Sequence, residues 1–241
     1  MSRRAAILAF TFVARVAIAQ DNYEIQVYGS ETVAKGSLMV ELHSNYTAKG
    51  FVSDNHAFHE TLEITRGFSD WFETGFYIFS SARSGDGWQF VGSHLRPRVR
   101  VPPQWHWPVG VSLSTEFGWA SSRFSDDTWT WEIRPIVDKE IGRWYLAFNP
   151  TLEKSFRGAN AARGFEFAPN VNIKYGVAPK VAAGIEYYGG LRSPQSHQIF
   201  PAIDLNLSPD WEFNAGVGFG LTRTTDKAIV KVIVGRRTRW P

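Results

Sequence analysis

The chain has 241 residues and a formal net charge of +3; 15% of residues are aromatic, ten of them tryptophan, and there is no cysteine. That length suits one large domain or two small ones, and the missing cysteines exclude a disulfide framework and a thiolate-held metal. Past the first residues no stretch approaches 18 apolar residues, so no transmembrane helix is expected.

Residues 1–19 read as a secretory signal peptide. Arg3 and Arg4 form a positive start, Ala5 to Ala14 a mostly apolar stretch that Arg15 closes, and Ala17-Ile18-Ala19 a small-x-small cleavage site before Gln20. Cleavage removes three arginines and no acid, leaving 23 basic against 23 acidic residues. The excess positive charge therefore belongs to the leader and gives no argument for a nucleic-acid partner. Residues 20–36, "QDNYEIQVYGSETVAKG", alternate poorly and predict a periplasmic lead-in or a short plug folded into a lumen.

From Ser37 onward, alternating segments recur, separated by turn signals. They predict twelve strands, roughly 37–46, 57–67, 70–81, 87–101, 107–121, 127–139, 142–156, 163–176, 179–191, 195–207, 209–222 and 226–236. In "RGFSDWFETGFYIFSS" (66–81), Phe72, Phe76 and Ile78 share one parity, while Glu73, Gly75 and Tyr77 share the other. The same two-faced pattern opposes Phe165, Phe167, Val171 and Ile173 to Glu166, Asn170, Asn172 and Lys174, and Trp211, Phe213 and Val217 to Glu212, Asn214 and Gly216, Gly218 and Gly220.

The links alternate between a short set ("GFSD", "PPQWHW", "KEIG", "GVAP", "SPD") and a longer, polar set ("AKGFVSDNHA", "ARSGDG", "SRFSDD", "RGANAAR", "RSPQS", "TRTTD"). Short turns on one rim and longer loops on the other are what a membrane β-barrel needs. An apolar outside and polar inside, closed without an edge, satisfies lipid. The fold expected is all-β: a closed antiparallel up-and-down transmembrane β-barrel of twelve strands over 37–241, both termini on the short-turn side. Tryptophan prefers the membrane boundary. Trp71, Trp105, Trp107, Trp144, Trp211 and Trp240 fall near the short-turn rim, and Trp88, Trp119, Trp129 and Trp131 near the other.

With the signal, the repeats, the loop alternation and a last strand whose Ala228, Val230, Val232, Val234 and Trp240 share one parity, the chain resembles the bacterial outer-membrane β-barrels of about twelve strands. The resemblance implies a Gram-negative outer-membrane location, lipid around the barrel, and the barrel-assembly machinery as a partner in biogenesis. "EIQVYGSETVAKGSLMVELHSNYT" is similar to the start of barrels loosely described as transporters, which implies a channel and names no solute.

Parity gives the expected lumen lining. The acids are Glu41, Glu63, Glu73, Glu116, Glu132, Asp138, Glu153, Glu166, Glu186, Asp204 and Glu212; the bases include Arg96, Arg98, Arg100, Arg134, Lys174 and Lys231. "HLRPRVR" places Arg96, Arg98 and Arg100 on one face, about 7 Å apart. Two uses follow: a charged pore passing small polar or charged solutes, or ion pairs that seal a narrow barrel. The first is the expectation, the sealed structural barrel an alternative. An outer-membrane hydrolase of lipid or lipopolysaccharide is another. Against it, neighbouring residues on a strand point to opposite faces, so neither His43-Ser44 nor Ser93-His94 can pair within its own strand, although pairs across strands stay open. His56 and His59, with Asp54 and Glu60, lack a third fixed metal ligand. No cofactor, metal site or catalytic residue is expected.

Overall fold

A computed structural model describes residues 22–51 and 53–240; the expected signal peptide lies outside them. Twelve strands follow one another: β1 (Ser37–Lys49), β2 (Phe58–Ser69), β3 (Phe72–Arg83), β4 (Gly87–Arg100), β5 (Gly110–Ala120), β6 (Asp127–Ile141), β7 (Trp144–Gly158), β8 (Glu166–Ala178), β9 (Val181–Gly190), β10 (Ser196–Leu205), β11 (Trp211–Gly220) and β12 (Ala228–Arg239). Each pairs antiparallel with its sequence neighbours, and β1 closes on β12 from Ser37↔Arg239 to Lys49↔Ala228. Closure leaves no unpaired edge, which is the condition for spanning lipid with strands.

The two faces follow the period-two pattern. Every strand exposes a large apolar side chain on the outside: Leu42, Ile64, Phe76, Leu95, Leu113, Val137, Phe148, Ile173, Ile185, Ile203, Val217 and Val230 in chain order. A continuous apolar belt of this kind is the lipid-facing surface of a transmembrane barrel. In β3, Glu73, Gly75 and Tyr77 turn inward and are buried, while Phe76 and Ile78 face out. Trp71, Trp105, Trp107, Trp144, Trp211 and Trp240 are exposed at the rim carrying the β2–β3, β4–β5 and β6–β7 turns. Trp88 and Trp129 are exposed toward the other rim; Trp119 and Trp131 there are half-buried, and Trp131 donates its indole N–H to Thr115 Oγ1 at 2.6 Å.

Three details differ from the sequence expectation. Phe79 pairs with Gly92 and Ser80 with Phe90, so Val91 is an extra residue in β4. This bulge switches the outward parity from Trp88 and Phe90 to Leu95 and Val99 within one strand, and buries Val91. The loop lengths alternate less strictly than expected: 84–86 on the long-loop rim is shorter than 101–109 on the other, where Pro103–Trp105 forms a 3-10 turn. Finally, β1 starts and β12 ends at the short-turn rim as expected, but the described residues ahead of β1 reach the opposite rim. Asn22 Nδ2 donates to Asp226 Oδ2 at 2.7 Å, in the β11–β12 loop of the opposite rim.

Candidate functional site

Residues 22–36 run through the inside of the barrel. From Asn22 beside Asp226 they descend to Gly36, whose N–H donates to the Gly67 carbonyl next to the β2–β3 turn. Asn22, Tyr23, Glu24, Ile25, Val27, Tyr28 and Ser30 are all buried. An extended chain without strand partners must satisfy its backbone polar groups otherwise. Here the wall side chains do it. Asn45 reaches the Asn22 carbonyl at 2.9 Å and Thr61 the Tyr23 carbonyl at 2.6 Å. Lys231 reaches the Ile25 carbonyl at 3.1 Å. Asn149 accepts the Tyr28 N–H at 2.8 Å and donates to the Tyr28 carbonyl at 3.0 Å, standing in for a strand partner. Asp138 takes the Ser30 N–H and hydroxyl at 2.9 and 2.7 Å. Arg98 donates to the Gly29 and Glu31 carbonyls, and Glu73 accepts the Val33 N–H.

The arginines expected on one wall meet this segment. Arg96 bonds Glu63 at 2.5 Å and lies 3.7 Å from Glu73; Arg98 Nε, directly opposite Glu73 in register, lies 2.8 Å from it. Arg134 bonds Glu132 at 2.7 Å and Glu24 of the segment at 3.3 Å. The Tyr28 ring sits among all three guanidiniums, 4.8 Å from Arg96, 5.8 Å from Arg98 and 4.7 Å from Arg134. Cations over an aromatic face are attracted by its quadrupole, more so when desolvated. The Tyr28 hydroxyl donates to Glu24. Glu116 pairs with His94, and the absent side chain of Gly118 makes room for that imidazole: a Cβ there would stand 2.2 Å from His94 Nε2.

A second network crosses β8 to β12. Lys174 lies 2.6 Å from Asp204 and 3.2 Å from Glu186, and Lys231 bonds Glu186 at 2.5 Å. Tyr188 donates to Glu186 at 2.6 Å. Glu116, Glu132, Glu153 and Glu166 form one row across β5, β6, β7 and β8. Glu153 is exposed at its end of β7, and Glu166 is half-buried with Arg192 at 3.1 Å. Glu212 and Arg237 pair at 3.1 Å at the short-turn mouth, Glu212 exposed and Arg237 half-buried.

These contacts divide the lumen in two. Toward the long-loop rim it is filled. Ile25 and Val27 pack with Ala147, Tyr188, Phe200 and Ile229; Tyr23 packs with Tyr77, Phe79 and Val91. Beyond the strands at that rim, burial raises the Asp226 carboxyl above its ordinary value, opposed by the bonds from Asn22 and the Phe51 N–H. Toward the short-turn rim a cavity of about 610 Å³ remains. Arg96, Arg98 and Arg100 form part of its lining, and Glu41, Glu63, Asp138 and Glu212 another part. A second space of about 230 Å³, lined by Lys174, Glu186, Asp204 and Asn214, lies on the other side of Gln26 and Gly29.

The Ser–His possibilities also resolve. His43 and Asn45 point inward, while Ser44 points outward and donates to Glu60 at 2.7 Å. Across strands, His59 Nδ1 lies 3.3 Å from Ser81 Oγ, yet both residues are wholly buried and Ser81 also donates to the Phe58 carbonyl at 3.1 Å. His56, bonded to the Tyr46 hydroxyl at 3.0 Å, is separate from His59, whose Nε2 lies 4.0 Å from Asp54. Sequence reasoning missed Glu24, Tyr28, Asn45 and Asn149. The only local signal was the poor alternation of 20–36 combined with its tyrosines.

No protein-family model matches the chain, and no curated protein matches it. Solved structures do. The COG4313 outer membrane channel from Pseudomonas putida F1 superposes with a TM-score of 0.61 at 11% identity, covering 89% of this chain and 100% of that one. The NanC porin gives 0.57 at 8% identity, covering 84% and 100%. The KdgM porin gives 0.56 at 12% identity, covering 82% and 98%. At these identities the likeness establishes the architecture: this chain has the closed twelve-strand antiparallel barrel fold, similar to those outer-membrane porins and channels.

Proposed function

We propose that the protein is an outer-membrane channel for small polar or charged solutes, with residues 22–36 acting as an internal plug. The observation that carries the reading is the cavity of about 610 Å³ between the arginine wall and the carboxylates at one mouth of a closed barrel. Charges of opposite sign across a narrow water-filled space create a transverse field that orients polar solutes. The arginines favour an acidic solute. The KdgM porin has been seen with oligogalacturonate, an acidic sugar chain, which supports the same direction for this chain. The fold and the apolar belt support the outer membrane as its location, with lipid around it and the barrel-assembly machinery as partner during biogenesis. The similarity to channels supports a non-enzymatic role.

Passage needs the plug to move, because the segment and the apolar clusters fill the lumen toward the long-loop rim. That same filling favours a second reading, a closed barrel without transport. Uptake of labelled sugar acids into proteoliposomes separates the two. The channel reading expects uptake above empty liposomes, with the preference for acids over neutral sugars lost in Arg98→Ala/Arg100→Ala. Absence of uptake both in wild type and in a plug-deleted chain would leave only the closed barrel.

A further inference from the structure

The geometry points to a divalent transition-metal site on the inner wall, made by Glu41 and His43 of β1 and Glu63 of β2. One ligand atom from each residue lies within 4.8 Å of the other two, and all three residues are buried. Glu41 and Glu63 are direct cross-strand partners, and His43 is the next inward position along β1. Two carboxylates placed opposite each other repel unless a cation or a shared proton lies between them.

The neighbours remove only part of that conflict, through Arg96. Glu63 spends one oxygen, Oε1, on Arg96 and on the Thr65 hydroxyl at 2.6 Å. Its other oxygen, Oε2, is buried and accepts no hydrogen bond. Glu41 has no hydrogen bond or ion pair at bonding distance among the described residues, and it faces the cavity of about 610 Å³. His43 is 0% exposed, and neither ring nitrogen has a hydrogen-bond partner. Its Nε2 points at Glu63 Oε2 from 3.6 Å, beyond hydrogen-bond length. A fully buried imidazole with neither nitrogen hydrogen-bonded is costly, and native structures rarely keep one without a purpose.

A tetrahedral zinc ion resolves all three features. It takes nitrogen and carboxylate ligands at about 2.0–2.2 Å, so its ligands stand roughly 3.3 Å apart. The three donors reach that spacing by side-chain shifts of about 1–2 Å, within ordinary rotamer freedom. Glu63 would use Oε2 and keep Arg96 on Oε1. The fourth position would open onto the cavity and hold water, which also supplies the entry path. The other His–carboxylate group, Glu24 with His94 and Glu116, is a poorer host because His94 Nδ1 is already bonded to Glu116 and Glu24 to Arg134.

The site stands independently of the channel reading, since it concerns binding alone. The test uses the chelator-stripped mature barrel folded in detergent, with zinc as the probe and its content measured after equilibrium dialysis. One equivalent is expected for wild type. His43→Gln and Glu41→Gln should each weaken binding by more than about 100-fold, beyond the tenfold to 100-fold typical of a change outside the ligand set. His94→Gln should leave binding unchanged. Gel migration before and after boiling verifies that each variant is folded. Should a variant fail to fold, cobalt added to wild type decides: strong visible bands of a four-coordinate ion support the site, and weak six-coordinate bands overturn it. Zinc-free wild type, as for two carboxyls sharing a proton, would also overturn it, as would wild-type affinity in folded His43→Gln.

Discussion

Arg96→Ala is the most informative single change. Arg96 is 2% exposed and its partner Glu63 1%, with a bond of 2.5 Å between them. Breaking a buried pair from one side strands the other charge, which costs about 3–5 kcal/mol. Glu73 is spared, because Arg98 remains 2.8 Å from it. The stranded group is therefore Glu63. Glu63→Gln should cost only about 1–3 kcal/mol, since Arg96 keeps Glu73 at 3.7 Å and the Tyr28 and Tyr77 rings. The double variant Arg96→Ala/Glu63→Gln removes both charges and should be more stable than Arg96→Ala alone, a coupling of the size expected for groups in direct contact. Urea titration in lipid vesicles, followed by tryptophan fluorescence, measures all three. A cost for Arg96→Ala within about 1 kcal/mol, the value of a solvent-exposed pair, would refute the claim that the Arg96–Glu63 pair is shielded from solvent.

Further substitutions test the faces and the packing. Phe76→Arg or Val217→Arg, both on the lipid side, should cost about 2–4 kcal/mol if near the midplane, measured in the same vesicles; tolerance of either would show the register to be wrong. Gly218→Ala should cost about 1–3 kcal/mol, because a Cβ there would stand 2.2 Å from the end of the Phe200 ring, and Phe200→Leu should recover part of the loss.

Much of the barrel was legible because its physics is local. Alternation marks a strand with unlike faces, and lipid outside makes the apolar parity the outward one, so Phe76 and Glu73 could be sorted from 66–81 alone. Glu73 opposite Arg98 was also foreseeable as a pair. The bulge at Val91 was not, because one extra residue barely alters composition or strand length while switching the parity. Nor was the course of 22–36 determined. Its backbone partners Asn45, Asn149 and Lys231 come from β1, β7 and β12, and each looks like an ordinary inward polar residue. His43 illustrates the same limit. Its sequence neighbour Ser44 raised the question of hydrolytic chemistry, whereas the residue that faces its ring, Glu63, lies on the next strand.

On the proposed function, a conducting barrel is closed by its own N-terminal segment. Single-channel recording in planar bilayers, comparing the mature chain with one lacking residues 22–33, tests it most directly. The deletion stops short of β1, which begins at Ser37. Rare, small openings are expected from the mature chain and sustained conductance from the shortened one. Equal conductance from both would show that the segment does not close the lumen, and silence from both, with the barrel folded, would contradict the channel itself.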